Sequence, residues 1–160
     1  MSVFERIADA ADNKILIFSG LAWIIAQIIK ITTCLITEKR FRWDRVFGDG
    51  GMPSGHSATV CALATLVGWT QGFDSALFAM SMIFAIIVMN DAVGVRREAG
   101  KHAVSIKELT AAVNSIFKDS DGKIKSEKMK MLIGHTPLQV VMGALLGILV
   151  AVLCIVIFRL

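Results

Sequence analysis

The chain has 160 residues, of which 55% are hydrophobic and 19% are charged, and its mean hydropathy is +0.67. Soluble domains are closer to about 45–50% apolar and about 25% charged, so the apolar excess predicts a membrane protein. The length suits one membrane-embedded domain over residues 1–160, and the low charge content excludes a disordered chain. Three cysteines in apolar runs argue against a disulfide scaffold. The net charge of +4 is expected in loops beside an anionic membrane, without nucleic acid as a partner.

The first segment, residues 2–13, is too polar for the apolar core of a signal peptide. Its apolar residues nevertheless recur at helical spacing, at Val3, Phe4, Ile7 and Ala11. This pattern predicts a helix that lies in the membrane interface.

Four hydrophobic stretches follow, at residues 15–36, 57–70, 75–89 and 138–158. A spanning helix needs roughly 20 apolar residues to cross about 30 Å of hydrocarbon, and the first and fourth stretches meet this length. The shorter second stretch is expected to be half-embedded, packed inside the bundle, or extended by the residues before it. The pattern predicts an all-α, polytopic membrane helical bundle with three to four spanning helices.

A polar insert, residues 96–130, separates the third and fourth stretches. Apolar residues at helical spacing predict an amphipathic helix within it, with one face formed by Ile106, Leu109, Val113 and Ile116. Ser105 and Glu108 fit a capping box if that helix begins there.

Basic residues are concentrated in two loops, which lie on one side of the membrane if four helices cross it. The first loop contains Lys39, Arg40, Arg42 and Arg45, and the second is the polar insert with nine basic residues. The positive-inside rule then places both loops in the cytoplasm and both termini outside a multi-pass cell membrane protein. A phosphate-binding site would also gather basic residues on its own side, so both explanations stay open.

Residues 50–58, Gly-Gly-Met-Pro-Ser-Gly-His-Ser-Ala, form a glycine-rich turn that leads directly into an apolar helix. The start of a helix presents unpaired backbone N–H groups and the positive end of the helix dipole, which together attract an anion. His56 lies at this position, where an imidazole can donate a hydrogen bond or a proton. The alternative is an ordinary helix entry with an interfacial histidine.

A second histidine precedes the fourth stretch, in Gly-His-Thr-Pro at residues 134–137. Thr136 and Gln139 fit a capping box, which explains Gln139 at least as well as a catalytic role does. Capping does not explain His135. Two histidines at two helix starts on one membrane face predict a site where one imidazole attacks phosphorus and the other protonates the leaving oxygen.

Further charged residues are expected near this site. A lysine within a spanning helix costs about 3 kcal/mol on insertion scales, so Lys30 either snorkels to the interface or faces a bound anion. Arg96 and Arg97 suit bidentate phosphate recognition. Their alternative role as a cytoplasmic charge flank leaves Asp91 unexplained.

Through Pro-Ser-Gly-His at residues 53–56, the sequence resembles the type 2 phosphatidic acid phosphatase superfamily of membrane lipid phosphatases. More closely, it resembles the divergent branch of that superfamily. Three blocks occur in order: Gly-Gly-Met-Pro-Ser-x-His-Ser-Ala at 50–58, Asp-Ala-x-Gly-Val-Arg-Arg-x-Ala-Gly-Lys at 91–101, and Gly-His-Thr-Pro at 134–137.

The resemblance implies a metal-independent phosphatase without a cofactor. It makes His135 the nucleophile that forms a phosphohistidine and His56 the acid for the leaving alcohol. The expected phosphate-binding residues are Lys30, Ser54, Gly55, Arg96 and Arg97, with Asp91 and Arg42 in support. The implied substrate is a lipid phosphomonoester or diphosphate, such as phosphatidate, phosphatidylglycerol phosphate or a polyprenyl diphosphate.

The chain also departs from the family pattern. Gln139 occupies the position of the acid that usually orients the nucleophile, and the arginine expected six residues before His135 falls on Met129. These departures favour an alternative, a non-enzymatic relative that binds or transports phospholipid or another anion. A scaffolding membrane protein is a further alternative, but it does not explain Lys30 or the two histidines at helix starts. A competing alignment uses His102 as the nucleophile and fails at Ile106, where the acid should be.

Overall fold

The computed structural model of the protein describes residues 11–38, 51–116 and 135–160, together with Glu5 and Asp9. These ranges contain helices and no strand, which confirms the all-α fold. The helices are α1 (Lys14–Glu38), α2 (Gly55–Gln71), α3 (Ala76–Val93), α4 (Val95–Ile116) and α5 (Pro137–Phe158). Most of residues 2–13 lie outside the described residues, so the interfacial helix stays a prediction.

Three segments of the described chain are long and apolar enough to cross a membrane, namely Lys14–Ile36, Ala76–Ser115 and Pro137–Phe158. Their outer faces carry large apolar side chains that the protein leaves uncovered, such as Ile83 (57% exposed) and Val156 (69% exposed). In water such an apolar surface would promote aggregation, whereas lipid chains solvate it. The protein is therefore a polytopic membrane protein.

Helix α2 lies at the centre of the bundle and packs against α1, α3 and α5. It has 17 residues, which corresponds to about 25 Å and is shorter than the hydrocarbon core of about 30 Å. Most of its residues are buried, including Ala58, Ala62 and Leu66. Two of the alternatives for the second stretch are observed, because α2 packs inside the bundle and is extended at its start by Gly55 and His56.

Small residues bring α2 and α5 into close parallel contact. Gly143 lies against Ser54 and Ser57, and Gly147 lies against the backbone of Ala58. A Cβ atom at either glycine would collide with a carbonyl oxygen of α2 or of its N-cap. Glycines four residues apart on a membrane helix allow such a close approach of two backbones.

The other helices run antiparallel to this pair. The rings of Phe18 in α1 and Phe158 in α5 lie 4.8 Å apart, which places the start of α1 beside the end of α5. Helix α3 runs back along α2, since the Sγ atom of Cys61 lies 3.8 Å from the Sδ atom of Met89. The tight turn at residues 72–75 connects the two helices, and its Ser75 caps α3 by accepting a hydrogen bond from the N–H of Phe78 at 3.1 Å.

The end of α1, the start of α2, the end of α3 and the start of α5 consequently share one end of the bundle, here called the motif end. The helix ends that adjoin both basic loops are all at the motif end. Residues 39–50 and 117–134 themselves, which include Arg42, lie outside the described residues.

Helix α4 is the amphipathic helix expected in the polar insert, with Ile106 (51% exposed) and Leu109 (65% exposed) on its apolar side. It begins at Val95, directly after α3 ends, and not at Ser105. The capping box predicted from Ser105 and Glu108 is therefore wrong, because both residues lie in the helix interior. The intervening residues include alanine, arginine, glutamate and lysine, which are good helix formers, and they extend the helix upstream.

Candidate functional site

The start of α2 forms the first half of the candidate site. Gly51 has a φ of +110°, a conformation that favours glycine, and it turns the chain toward the helix. Ser54 is the N-cap, and its Oγ atom accepts hydrogen bonds from the N–H and the hydroxyl of Ser57 at 3.4 and 3.1 Å. Helix geometry leaves the N–H groups of Gly55 and His56 without an intrahelical acceptor. These two amides and the helix dipole form a place where an anion is favoured.

Ser54 also connects the two helix starts. Its backbone N–H donates to the carbonyl oxygen of Gln139 at 3.0 Å, and its side chain is completely buried. The N–H and the hydroxyl of Ser54 are thus both engaged inside the protein. This role in joining α2 to α5 was not expected from the sequence, and the role of Ser54 as a phosphate ligand stays a prediction.

The start of α5 forms the second half of the site and contains the predicted capping box. Thr136 Oγ1 accepts from the N–H of Gln139 at 3.4 Å, and Gln139 Oε1 accepts from the N–H of Thr136 at 3.0 Å. The same Oε1 atom lies 3.2 Å from Nδ1 of His135. Because an amide oxygen can only accept, this contact requires a proton on Nδ1, and in the neutral imidazole Nε2 is then the unprotonated nitrogen. Gln139 therefore caps the helix and orients the histidine at once.

The two histidines differ in their surroundings. His135 is buried, with 2% of its surface exposed, whereas His56 is exposed at the first turn of α2. Because Ser54 and Gln139 are hydrogen-bonded, both histidines belong to chain segments that meet at the motif end. His102, the nucleophile of the competing alignment, is an exposed residue within α4 and precedes no helix start. The geometry favours His135.

Lys30 faces the bundle and not the lipid. It is 6% exposed, and its Cε and Cγ atoms lie 3.0 and 3.1 Å from the position of a Cβ atom built on Gly51. The lysine side chain thus packs over the turn that leads into α2. The protein therefore covers this side chain, and the role of Lys30 toward a bound anion stays a prediction.

The remaining predicted site residues lie at the same end of the fold. Asp91 is in the last turn of α3 and is partly buried. Arg96 and Arg97 are in the first turn of α4, directly after Gly94, where α3 ends. Their roles toward a phosphate stay predictions. Among residues 11–38, 51–116 and 135–160, no group of three or more histidine, cysteine or acidic side chains is arranged to hold a metal ion.

Two residues at the site were missed by the sequence analysis. Trp23 and Gln27 of α1 pack against Gly55, with Trp23 Cδ1 and Gln27 Nε2 at 3.1 and 3.9 Å from the position of a Cβ atom built on that glycine. The sequence could have predicted Gln27 as a site residue, because it lies three residues before Lys30 and hence on the same helix face. An amide within a spanning segment is a second signal.

Comparison with known proteins gives one family and one curated relative. The chain matches the Divergent PAP2 family over residues 11–150. The Bacillus subtilis (strain 168) protein named uncharacterized membrane protein YuiD is 45% identical over 143 residues, which cover 86% of this chain and 90% of that protein. No solved structure matches the chain significantly.

Proposed function

Because this chain belongs to the divergent PAP2 family, we propose that it is a membrane phosphatase acting on a lipid phosphomonoester or diphosphate through a phosphohistidine. The observation that carries the proposal is the contact between His135 Nδ1 and Gln139 Oε1 at 3.2 Å. A neutral histidine that donates from Nδ1 has an unprotonated Nε2, and an unprotonated imidazole nitrogen is a nucleophile.

The reaction would proceed in two steps. In the first, His135 Nε2 attacks phosphorus, a P–N bond forms, and the bond from phosphorus to the leaving oxygen breaks while His56 donates a proton to that oxygen. In the second, water attacks the phosphohistidine and gives up a proton to His56, which releases inorganic phosphate and restores both histidines.

The charge that develops on the transferring phosphoryl group needs stabilisation. The N–H groups of Gly55 and His56 would contribute, together with Lys30, and Arg96 and Arg97 would complete the set. In this proposed reaction the phosphate would lie at the motif end, and the lipid tail would extend toward the opposite end of the bundle. We further propose that the motif end faces the cytoplasm, as the basic loops indicate.

The test is phosphate release by purified protein from phosphatidate, phosphatidylglycerol phosphate and a polyprenyl diphosphate in mixed micelles. His135→Ala is expected to abolish release, and His56→Ala is expected to lower it by about 10²- to 10⁴-fold. Acid-labile, base-stable radiolabel on His56→Ala protein, absent from the double variant with His135→Ala, would identify the phosphohistidine. Equal release by the wild type and both histidine variants would contradict the proposal.

A second candidate is a family member that binds or transports phospholipid without hydrolysis. Gln139 favours it, because an amide orients the histidine but supplies no negative charge to stabilise the imidazolium that forms during turnover. Lipid binding by the wild type without any phosphate release would support this candidate over the phosphatase.

A further inference from the structure

Gln27 presents an unsatisfied polar atom beside the candidate site. Its Oε1 atom is buried and has no hydrogen-bond partner among the residues that the structure describes. A buried acceptor without a donor lowers the stability of the fold by about 1–3 kcal/mol. The hydrocarbon core around a spanning helix contains no water that could replace the missing donor. An atom of this kind in the wall of a ligand site indicates that the ligand supplies the donor.

The position of Gln27 is defined by two neighbours. Its Nε2 atom lies 3.9 Å from the position of a Cβ atom built on Gly55, the first residue of α2, so the amide is directed at the start of that helix. Lys30, one turn along α1, packs over Gly51. Gln27 and Lys30 therefore line the same wall of the site, and rotation about the broad terminal torsion of glutamine can turn the oxygen toward a ligand at little cost.

The three α1 residues are ordered by depth. The end of α1 is at the motif end, so Gln27 lies about 4.5 Å deeper in the membrane than Lys30, and Trp23 lies about 6 Å deeper still. A phosphoryl group beside Lys30 would be followed by a group beside Gln27 and then by hydrocarbon beside Trp23, a residue that is 44% exposed. A hydrogen-bond donor at the depth of Gln27 would satisfy its Oε1 atom.

We infer that Gln27 Oε1 accepts a hydrogen bond from a substrate hydroxyl located two or three bonds from the phosphate oxygen, on the side of the hydrocarbon tail. This inference rests on the proposed function and specifies its substrate class, a lipid phosphate with a free hydroxyl beside the phosphoryl group. Phosphatidylglycerol phosphate carries such a hydroxyl, whereas phosphatidate and polyprenyl diphosphates do not. Gln27 is thus a specificity-determining residue.

The test compares two lipids that differ in one hydroxyl, 2-hydroxyhexadecyl phosphate and hexadecyl phosphate, both in mixed micelles with full-length protein. For the wild type, kcat/KM is expected to favour the hydroxylated lipid by about five- to tenfold, the contribution of one hydrogen bond. Gln27→Met keeps the length of the side chain and removes the acceptor. In this variant the ratio is expected to fall to near unity, because the hydroxylated lipid is hydrolysed more slowly.

The matched control is Gln71→Met, the same substitution at the opposite end of α2, which is expected to leave the ratio unchanged. A ratio that is equal in the wild type and in Gln27→Met would overturn the inference. An equal loss of activity toward both lipids in Gln27→Met would also overturn it, since the amide would then act on the phosphate that the two lipids share.

Binding measurements separate this inference from the proposed function. If the wild type releases phosphate from neither lipid, the phosphatase proposal fails, and the same pair is compared by the shift that each lipid causes in the thermal unfolding temperature. A larger shift with the hydroxylated lipid in the wild type, lost in Gln27→Met and kept in Gln71→Met, would still support the role of Gln27. Equal shifts for both lipids in the wild type would overturn it.

Discussion

The Oε1 atom of Gln139 makes two contacts at the start of α5. It closes the capping box with Thr136 and accepts from His135 Nδ1. Glutamate is the more common residue at this position of a capping box and would make both contacts with a negative charge. Substitution by glutamate therefore changes the charge of this side chain while both contacts are kept.

We expect Gln139→Glu to keep the helix cap and to raise phosphate release, because a carboxylate stabilises both the imidazolium and the start of a helix. Gln139→Leu removes both contacts. It is expected to lower the free energy of unfolding by about 1 kcal/mol and kcat by about 10²- to 10⁴-fold. Thermal unfolding in detergent and a phosphate-release assay measure the two effects. A loss of stability in Gln139→Leu with an unchanged kcat would limit Gln139 to capping.

Gly51 is the second residue with a specific requirement. Gly51→Ala places a Cβ atom 3.0 Å from Cε of Lys30 at a φ of +110°. We expect this variant to lose about 1–3 kcal/mol of stability and to bind phosphate more weakly, since the lysine must move away from the turn. Thermal unfolding and the KM for lipid phosphate are the measurements. A fully stable variant with the KM of the wild type would show that Lys30 does not depend on this contact.

At the scale of elements, the pairing of α2 with α5 determines the site. Gly143 and Gly147 allow the helices to approach until the N–H of Ser54 reaches the carbonyl oxygen of Gln139. The two helix starts are thereby held in register, with His56 on one and His135 before the other. A substitution that pushes α2 and α5 apart should disturb the site at the motif end before it disturbs the opposite ends of the two helices.

Gly147→Ala tests this packing, because its Cβ atom would collide with the carbonyl group of Ala58. We expect a loss of about 1–3 kcal/mol of stability, the usual cost of overpacking, together with lower activity. Gly20→Ala is the matched control, since a Cβ atom at Gly20 meets nothing within 4 Å. That control is expected to gain about 0.5–1 kcal/mol from helix propensity. Equal stabilities for the two variants, measured by thermal unfolding, would contradict the packing argument.

The sequence predicts some elements better than others for physical reasons. Hydropathy and length locate α1 and α5, because the thickness of the bilayer sets the length of a span. The central position of α2 depends on which faces pack together, which no single segment encodes. The upstream start of α4 was missed because a helix can begin without a cap. The hydrogen bond from Ser54 to Gln139 and the position of Gln27 beside Gly55 were overlooked because the partners are distant in sequence.

At the scale of the whole molecule, the arrangement of helix ends gives the protein two different ends. The motif end holds both histidines, Lys30 and the helix ends that adjoin the basic loops. The opposite end holds the tight turn at residues 72–75 and the end of α5, where the Trp69 indole N–H donates to the carbonyl oxygen of Leu160 at 2.9 Å. For the proposed phosphatase, orientation in the membrane decides which compartment supplies water and receives phosphate.

Cysteine labelling tests the proposed orientation in a background without Cys34, Cys61 and Cys154. Asp74→Cys at the tight turn is expected to react with a membrane-impermeant maleimide added to intact cells. Lys107→Cys on α4 is expected to react only after the membrane is permeabilised. The reverse pattern would place the motif end outside, and the site would then act on lipid phosphates of the outer leaflet.

The hydrogen bond between Ser54 and Gln139 has a consequence for biosynthesis. The two halves of the site are more than half the chain apart, and the half that contains His135 leaves the ribosome after α1 to α4. A nascent chain that has inserted α1 to α4 holds the start of α2 without His135, the nucleophile of the proposed reaction. The proposed phosphatase activity therefore arises only when α5 packs against α2. A chain truncated before α5 should insert into the membrane without that activity.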